Sequence, residues 1–140
     1  MTLCVQVSGG QADRFLALSG DVVDPSARKT IVEKTVEKFG RLDVLVANAG
    51  VADPQSGILN ASEETFDKIM NTNVKAVFFQ IQEAVPHLAE SKGNIIVVSS
   101  MLSFMACSSS ILYPMSKAAV DHMIRCLAST LDRKKSGSTL

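Results

Sequence analysis

Two short, uniformly apolar runs constrain this chain most: VLVANAG at residues 44–50 and NIIVVSS at residues 94–100. Neither alternates apolar with polar residues as a half-exposed strand does, so each reads as a strand covered on both faces, the usual condition of a parallel sheet. Parallel strands cannot be joined by a tight turn; they need a crossover, usually a helix. The intervening sequence supplies one. Asn60 and Glu63 have capping-box spacing, and Phe66, Ile69, Met70, Val77, Ile81 and Leu88 recur at helical intervals until residues 91–93, SKG, interrupt them.

The same pattern extends to both sides. Residues 15–23, FLALSGDVV, read as a buried strand ending in a polar turn. Pro25 suits a first helical position, Ile31, Val32, Val36 and Phe39 follow at helical spacing, and Gly40 is a natural stop. From Pro114 a last helix carries Val120, Ile124, Leu127 and Leu131 on one face. It ends near Arg133, Lys134 and Lys135, which complement the negative end of its dipole. Strand and helix alternating three times predict an α/β fold, a Rossmann-like three-layer αβα arrangement around a parallel sheet. With 140 residues, 46% of them hydrophobic, the chain can bury one core, so residues 1–140 read as a single domain.

Charge and composition exclude several roles. Fourteen basic and fourteen acidic side chains cancel, leaving no excess to draw the chain to nucleic acid or an anionic membrane. The opening MTLCVQVSGG lacks the basic start and long apolar run of a signal peptide, and no stretch approaches the ~20 apolar residues of a bilayer span. The expected location is the cytoplasm. Cys4, Cys107 and Cys126 are too scattered for a disulfide framework or zinc site, and His87 and His122 read as structural or solvent-facing, so no metal site is expected.

The chemistry concentrates late in the chain. Tyr113 is the only tyrosine, and Lys117 lies four positions on, on the same face of a helix. A phenol with a pKa near ~10 exchanges protons poorly at neutral pH, but a nearby cation favours phenolate. Ser100 ends the preceding strand thirteen residues earlier, at the carboxyl edge where open α/β sheets bind ligands. Its hydroxyl can donate to a substrate carbonyl or satisfy strand-end backbone groups. Asn73 interrupts an apolar stripe, where an amide is costly unless hydrogen-bonded. It reads as a local kink or cap, as the holder of a water on a proton path, or as both.

These residues resemble the short-chain dehydrogenase/reductase family. Asn48-Ala49-Gly50 after a strand, the helical Asn73, Ser100 and Tyr113-x-x-x-Lys117 keep the family's order and spacing, and Gly20-Asp21-Val22 matches the turn after its third strand. The resemblance covers roughly residues 12–132. It implies hydride transfer between a nicotinamide cofactor, NAD or NADP, and a small-molecule carbonyl or secondary alcohol. Tyr113 would be the general acid/base. Lys117 would lower its pKa and bind the nicotinamide ribose, Ser100 would polarise the carbonyl, and Asn73 would relay protons through water. Asp21 and Val22 would lie near the adenine, Asn48, Ala49 and Gly50 along the cofactor. The helices near 62–89 and 114–132 would form a homo-oligomer interface.

The chain also departs from the family. The family's T-G-x-x-x-G-x-G turn is absent, its first two and last two strands are not recognisable, and none of the eight glycines fits the spacing. Very weak cofactor binding by these 140 residues is therefore expected. Leu3 to Val7 is a candidate to fill part of the gap in the sheet. An oxidoreductase is thus set beside a second reading, a catalytically inactive truncated chain or fragment acting by association with full-length relatives. A serine hydrolase ranks third, because no G-x-S-x-G elbow surrounds Ser100.

Overall fold

The computed structural model describes residues 12–54 and 56–135; the candidate segment Leu3 to Val7 lies outside them. After a 3-10 turn, Ala12–Arg14, helix α1 runs Pro25–Phe39. It starts where the sequence sets it: Asp24 caps by accepting from the Ser26 N–H, and Pro25 takes the first turn, where its missing donor costs nothing. Gly40 ends it in the left-handed region at φ 76°, its N–H donating to the Val36 carbonyl at 2.8 Å. Strand β1, Val44–Ala47, is followed by helix α2, Glu63–Met70, a π turn at Asn71–Lys75 and helix α3, Ala76–Ser91. Strand β2 is Asn94–Val97, a 3-10 turn spans Met101–Ser103, and helix α4 spans Leu112–Lys135.

β1 and β2 form a parallel two-stranded sheet, with Val44 opposite Asn94 and Ala47 opposite Val97. One face is covered. Leu45, Ala47, Ile95 and Val97 pack against Val77, Ile81 and Val85 of α3 and Met123, Ile124 and Leu127 of α4. A second cluster joins Val32 of α1 to Ala84 and Leu88 of α3, with Leu42, Leu45 and Ile95 against it. The parallel sheet and its helical layer are two of the layers of a Rossmann-like fold. The chain crosses between the strands through α2, the π turn and α3.

Several sequence expectations are corrected. Residues 15–20 form no strand, because a strand exists through its ladder and none of the described residues pairs with this segment. The strands are not covered on both faces: Val44, Val46, Ile96 and Val98 are 40–54% exposed on the side away from the helices. The cap of α2 is Ser62, which accepts from the Thr65 N–H at 3.1 Å, while Asn60 closes a turn onto the Gly57 carbonyl. Helix α4 begins at Leu112, ahead of Pro114, so that the proline falls in the first turn. Phe66, read into the apolar stripe, is exposed.

Candidate active site

The site grows from the carboxyl ends of β1 and β2 and the first turns of α4. Lys117 is buried, and its Nζ donates to the carbonyl of Val98, just past β2, at 2.7 Å. The same Nζ stands 5.8 Å from the centroid of the Tyr113 ring. The helical offset of four therefore does bring ammonium and phenol ring together, and the Val98 carbonyl fixes the lysine from beneath.

Asn73 is fully buried in the π turn. Its Oδ1 accepts from the Val51 N–H and its Nδ2 donates to the Val51 carbonyl, both at 2.8 Å, closing a two-bond ring on one backbone residue. Nδ2 also donates to Ser116 Oγ at 3.0 Å. Both amide hydrogens thus meet protein acceptors, which leaves only the second lone pair of Oδ1 for a water. The turn is of π type: the Ala76 N–H reaches back to the Asn71 carbonyl, five residues away.

Ser100 caps the 3-10 turn, its Oγ accepting from the Leu102 N–H at 3.2 Å. The turn it caps packs against α4, so Ser100 stands at the edge of the helix that carries Tyr113. The Asn48-Ala49-Gly50 segment is exposed at the end of β1. A Cβ added at Gly50 would lie 3.4 Å from Asn73 Oδ1 and 3.6 Å from Lys117 Nζ, so this backbone passes directly over the buried amide and ammonium. Asp21 and Val22 lie in the turn before α1, away from this cluster in the sequence. Asp21 accepts from the Val23 N–H at 2.9 Å, and the buried Arg28 donates to the carbonyls of Val22 and Val23 at 2.6 and 2.8 Å.

Sequence reasoning missed four contributors. Ser116 is buried between Asn73 and Tyr113; its position three after Tyr113, on the same helical face, was the available signal. Arg28 holds the turn at Val22 and stacks 5.6 Å over Phe79, contacts with no sequence signature. Ser56 and Ser110 join the loops after β1 and β2: their hydroxyls are 3.0 Å apart and both reach the Asp53 carbonyl, while the Ile111 N–H donates to the Ser56 carbonyl at 3.0 Å. An open cavity of about 430 Å³ lies on the other side of the start of α4, lined by Leu102, Phe104, Met105, Pro114 and Met115 among others; Ser100, Tyr113 and Lys117 are not among its lining residues.

The family model for short chain dehydrogenases matches residues 2–135. This chain belongs to the short-chain dehydrogenase family. It is 40% identical over 117 residues to 2-dehydro-3-deoxy-D-gluconate 5-dehydrogenase of Dickeya dadantii, a match covering 82% of this chain and 46% of that one. Among solved structures, it is similar to a short chain dehydrogenase from Burkholderia cenocepacia in complex with NADP: TM-score 0.81, 32% identity, covering 93% of this chain and 51% of the other. It is also similar to carveol dehydrogenase from Mycobacterium avium in complex with NAD: TM-score 0.80, 29% identity, 85% and 44% covered. The chain spans about half the length of the relatives it matches. Among the described residues, no helix is long and apolar enough to cross a membrane.

Proposed function

We propose that this chain carries the acid/base half of a nicotinamide-dependent oxidoreductase acting between a small-molecule carbonyl and a secondary alcohol. The observation that carries the reading is Lys117, buried, bonded to the Val98 carbonyl at 2.7 Å and set 5.8 Å from the Tyr113 ring. In the reducing direction Tyr113 gives its phenolic proton to the carbonyl oxygen, and in the oxidising direction the phenolate takes the proton of the alcohol. The charge of Lys117 stabilises negative charge on the phenol oxygen. Ser100 Oγ already accepts from Leu102, so its own hydrogen is left to donate to the substrate oxygen and orient it. Asn73 holds the loop at Val51 and offers a relay water its remaining lone pair.

The residues fit a nicotinamide cofactor at one point that can be checked: Gly50, where the missing side chain leaves the backbone of residues 48–50 open beside Lys117. Asn48, Ala49, Gly50, Tyr113 and Lys117 would hold the nicotinamide end, and Asp21 and Val22 the adenine end. NAD or NADP supplies the hydride chemistry when bound. The exposed Phe66, Phe78 and Met115 on α2, α3 and α4 support a homo-oligomer through these helices. The second reading, an inactive chain that associates with full-length relatives, draws on the bare face of Val44, Val46, Ile96 and Val98.

A chimera tests the two readings. Residues 12–135 replace the matching segment of the Dickeya dadantii relative, and NADH- and NADPH-dependent reduction of a panel of carbonyls is followed. Turnover is expected. Tyr113→Phe should lower it by about 10²–10⁴-fold with cofactor affinity nearly unchanged, whereas Lys117→Ala should damage both. A folded chimera without turnover would favour the second reading, and a Tyr113→Phe form with near-parental kcat would rule out Tyr113 as the acid/base.

A further inference from the structure

We infer that Ser116 is a positioning residue for Tyr113, the member of the site that ties the start of α4 to the π turn and to the loop after β1. This rests on the reading of Tyr113 as the acid/base. Ser116 is fully buried. Its Oγ accepts from Asn73 Nδ2 at 3.0 Å and donates to the carbonyl of Tyr113 at 2.7 Å. Asn73 in turn is closed onto the Val51 backbone by two bonds of 2.8 Å. One hydroxyl therefore stands between the amide that fixes the loop after β1 and the backbone that carries the phenol.

The location explains why such a link matters. Tyr113 is the second residue of α4, and a first helical turn lacks N-terminal partners and frays most easily. A serine inside a helix that bonds back to the carbonyl one turn earlier is ordinarily a local matter, neutral or slightly destabilising. Here the same oxygen has a second, long-range partner 43 residues away. That partner anchors the frayable turn to a buried network whose members are mutually satisfied, and such a network fixes geometry more than its single bonds suggest. Lys117, the next residue, is held from the β2 side by Val98. The Tyr113–Lys117 pair is thus gripped by a hydroxyl chain on one side and a strand-end carbonyl on the other.

The chain reports on this directly, because it has one tyrosine and no tryptophan. The tyrosine band of near-ultraviolet circular dichroism therefore reads Tyr113 alone, with neither cofactor nor substrate needed. With the full chain, Ser116→Ala is expected to lose most of that band while far-ultraviolet helicity is kept, well below the unfolding midpoint. Ser116→Thr, which keeps the hydroxyl, should restore it. Ser129→Ala, at an exposed serine of the same helix, should leave it unchanged. A purely structural serine would lower the thermal midpoint without altering the band in the folded state. If Ser116→Ala does not fold, Ser116→Cys, similar in volume but a weaker hydrogen-bonding group, is expected to show partial loss. A band equal to that of the parent in folded Ser116→Ala or Ser116→Cys, or an equal loss in Ser129→Ala, would overturn the inference. It would leave the acid/base reading standing, since that is judged by turnover in the chimera.

Discussion

Asn73 could be picked out in the sequence as an amide on an apolar face, but its partners could not, because Val51 and Ser116 lie 22 and 43 residues away. The structure turns an oddity into a buried junction that satisfies one backbone N–H, one backbone carbonyl and one hydroxyl. Asn73→Leu keeps most of the volume and strips those groups of their partners, so it should cost about 2–4 kcal/mol, read as a lower urea midpoint at unchanged slope. Asp121 makes a second prediction at this scale. The Ser103 hydroxyl beside it holds its carboxyl below the ordinary value of 3.8, with Arg125 and Lys117 acting in the same direction. As pH falls the unfolded chain takes up that proton before the folded chain does. The contribution is therefore complete above the ordinary carboxylate value and is lost as pH drops through the lowered one. Thermal unfolding followed from neutral pH into acid should show a shallower acid decline for Asp121→Asn than for the parent.

At the scale of the element, the turn between α3 and β2 is closely packed. Lys92 takes a left-handed φ of 55°, Gly93 donates to the Leu88 carbonyl at 2.8 Å, and the Asn94 N–H starts the ladder on the Asp43 carbonyl at 2.8 Å. A Cβ at Gly93 would lie 2.3 Å from that carbonyl oxygen and 2.8 Å from Leu88 Cδ2. Gly93→Ala must therefore push β2 away from the chain before β1 and should cost about 1–3 kcal/mol. At Gly50 the new methyl would meet its nearest atom at 3.4 Å, and Gly50→Ala should cost less than about 1 kcal/mol. Chemical denaturation of the two variants side by side checks the contrast. The glycine was visible in the sequence as the end of a helix; that the backbone of another segment presses on it was not.

For the whole molecule, the bare face of Val44, Val46, Ile96 and Val98 and the missing glycine-rich turn belong together. The uniformly apolar runs were read as strands covered twice, and one side has no cover among the described residues, so the composition of the strands answers to a layer these residues do not supply. The turn that would cradle a cofactor's pyrophosphate with backbone N–H groups has no counterpart among the eight glycines. Loss of several charge-assisted hydrogen bonds, each ~1.5–3 kcal/mol, lowers affinity by several powers of ten. A polypeptide of these 140 residues should then give no saturable change in NADH or NADPH fluorescence at micromolar concentration. Saturable binding by a monodisperse sample would mean that another part of the chain receives the phosphates.

Local pattern determined a good deal of this protein. The helix start at Pro25 and its stop at Gly40, the four-residue offset of Tyr113 and Lys117 and the parallel pairing of VLVA with NIIV follow from propensity, helical period and the need of two short apolar strands for a helical crossover. These rules act over a turn or two of chain and can be read from one sequence. Only the tertiary structure decided that FLALSG joins no ladder with a described strand, that Asn73, Ser116 and Val51 share one hydrogen-bonded junction, that Arg28 is buried against the turn at Val22, and that one face of the sheet is bare. Each of these depends on which distant segment arrives to complete a ladder, a donor or an apolar surface, and composition and periodicity carry no record of that partner.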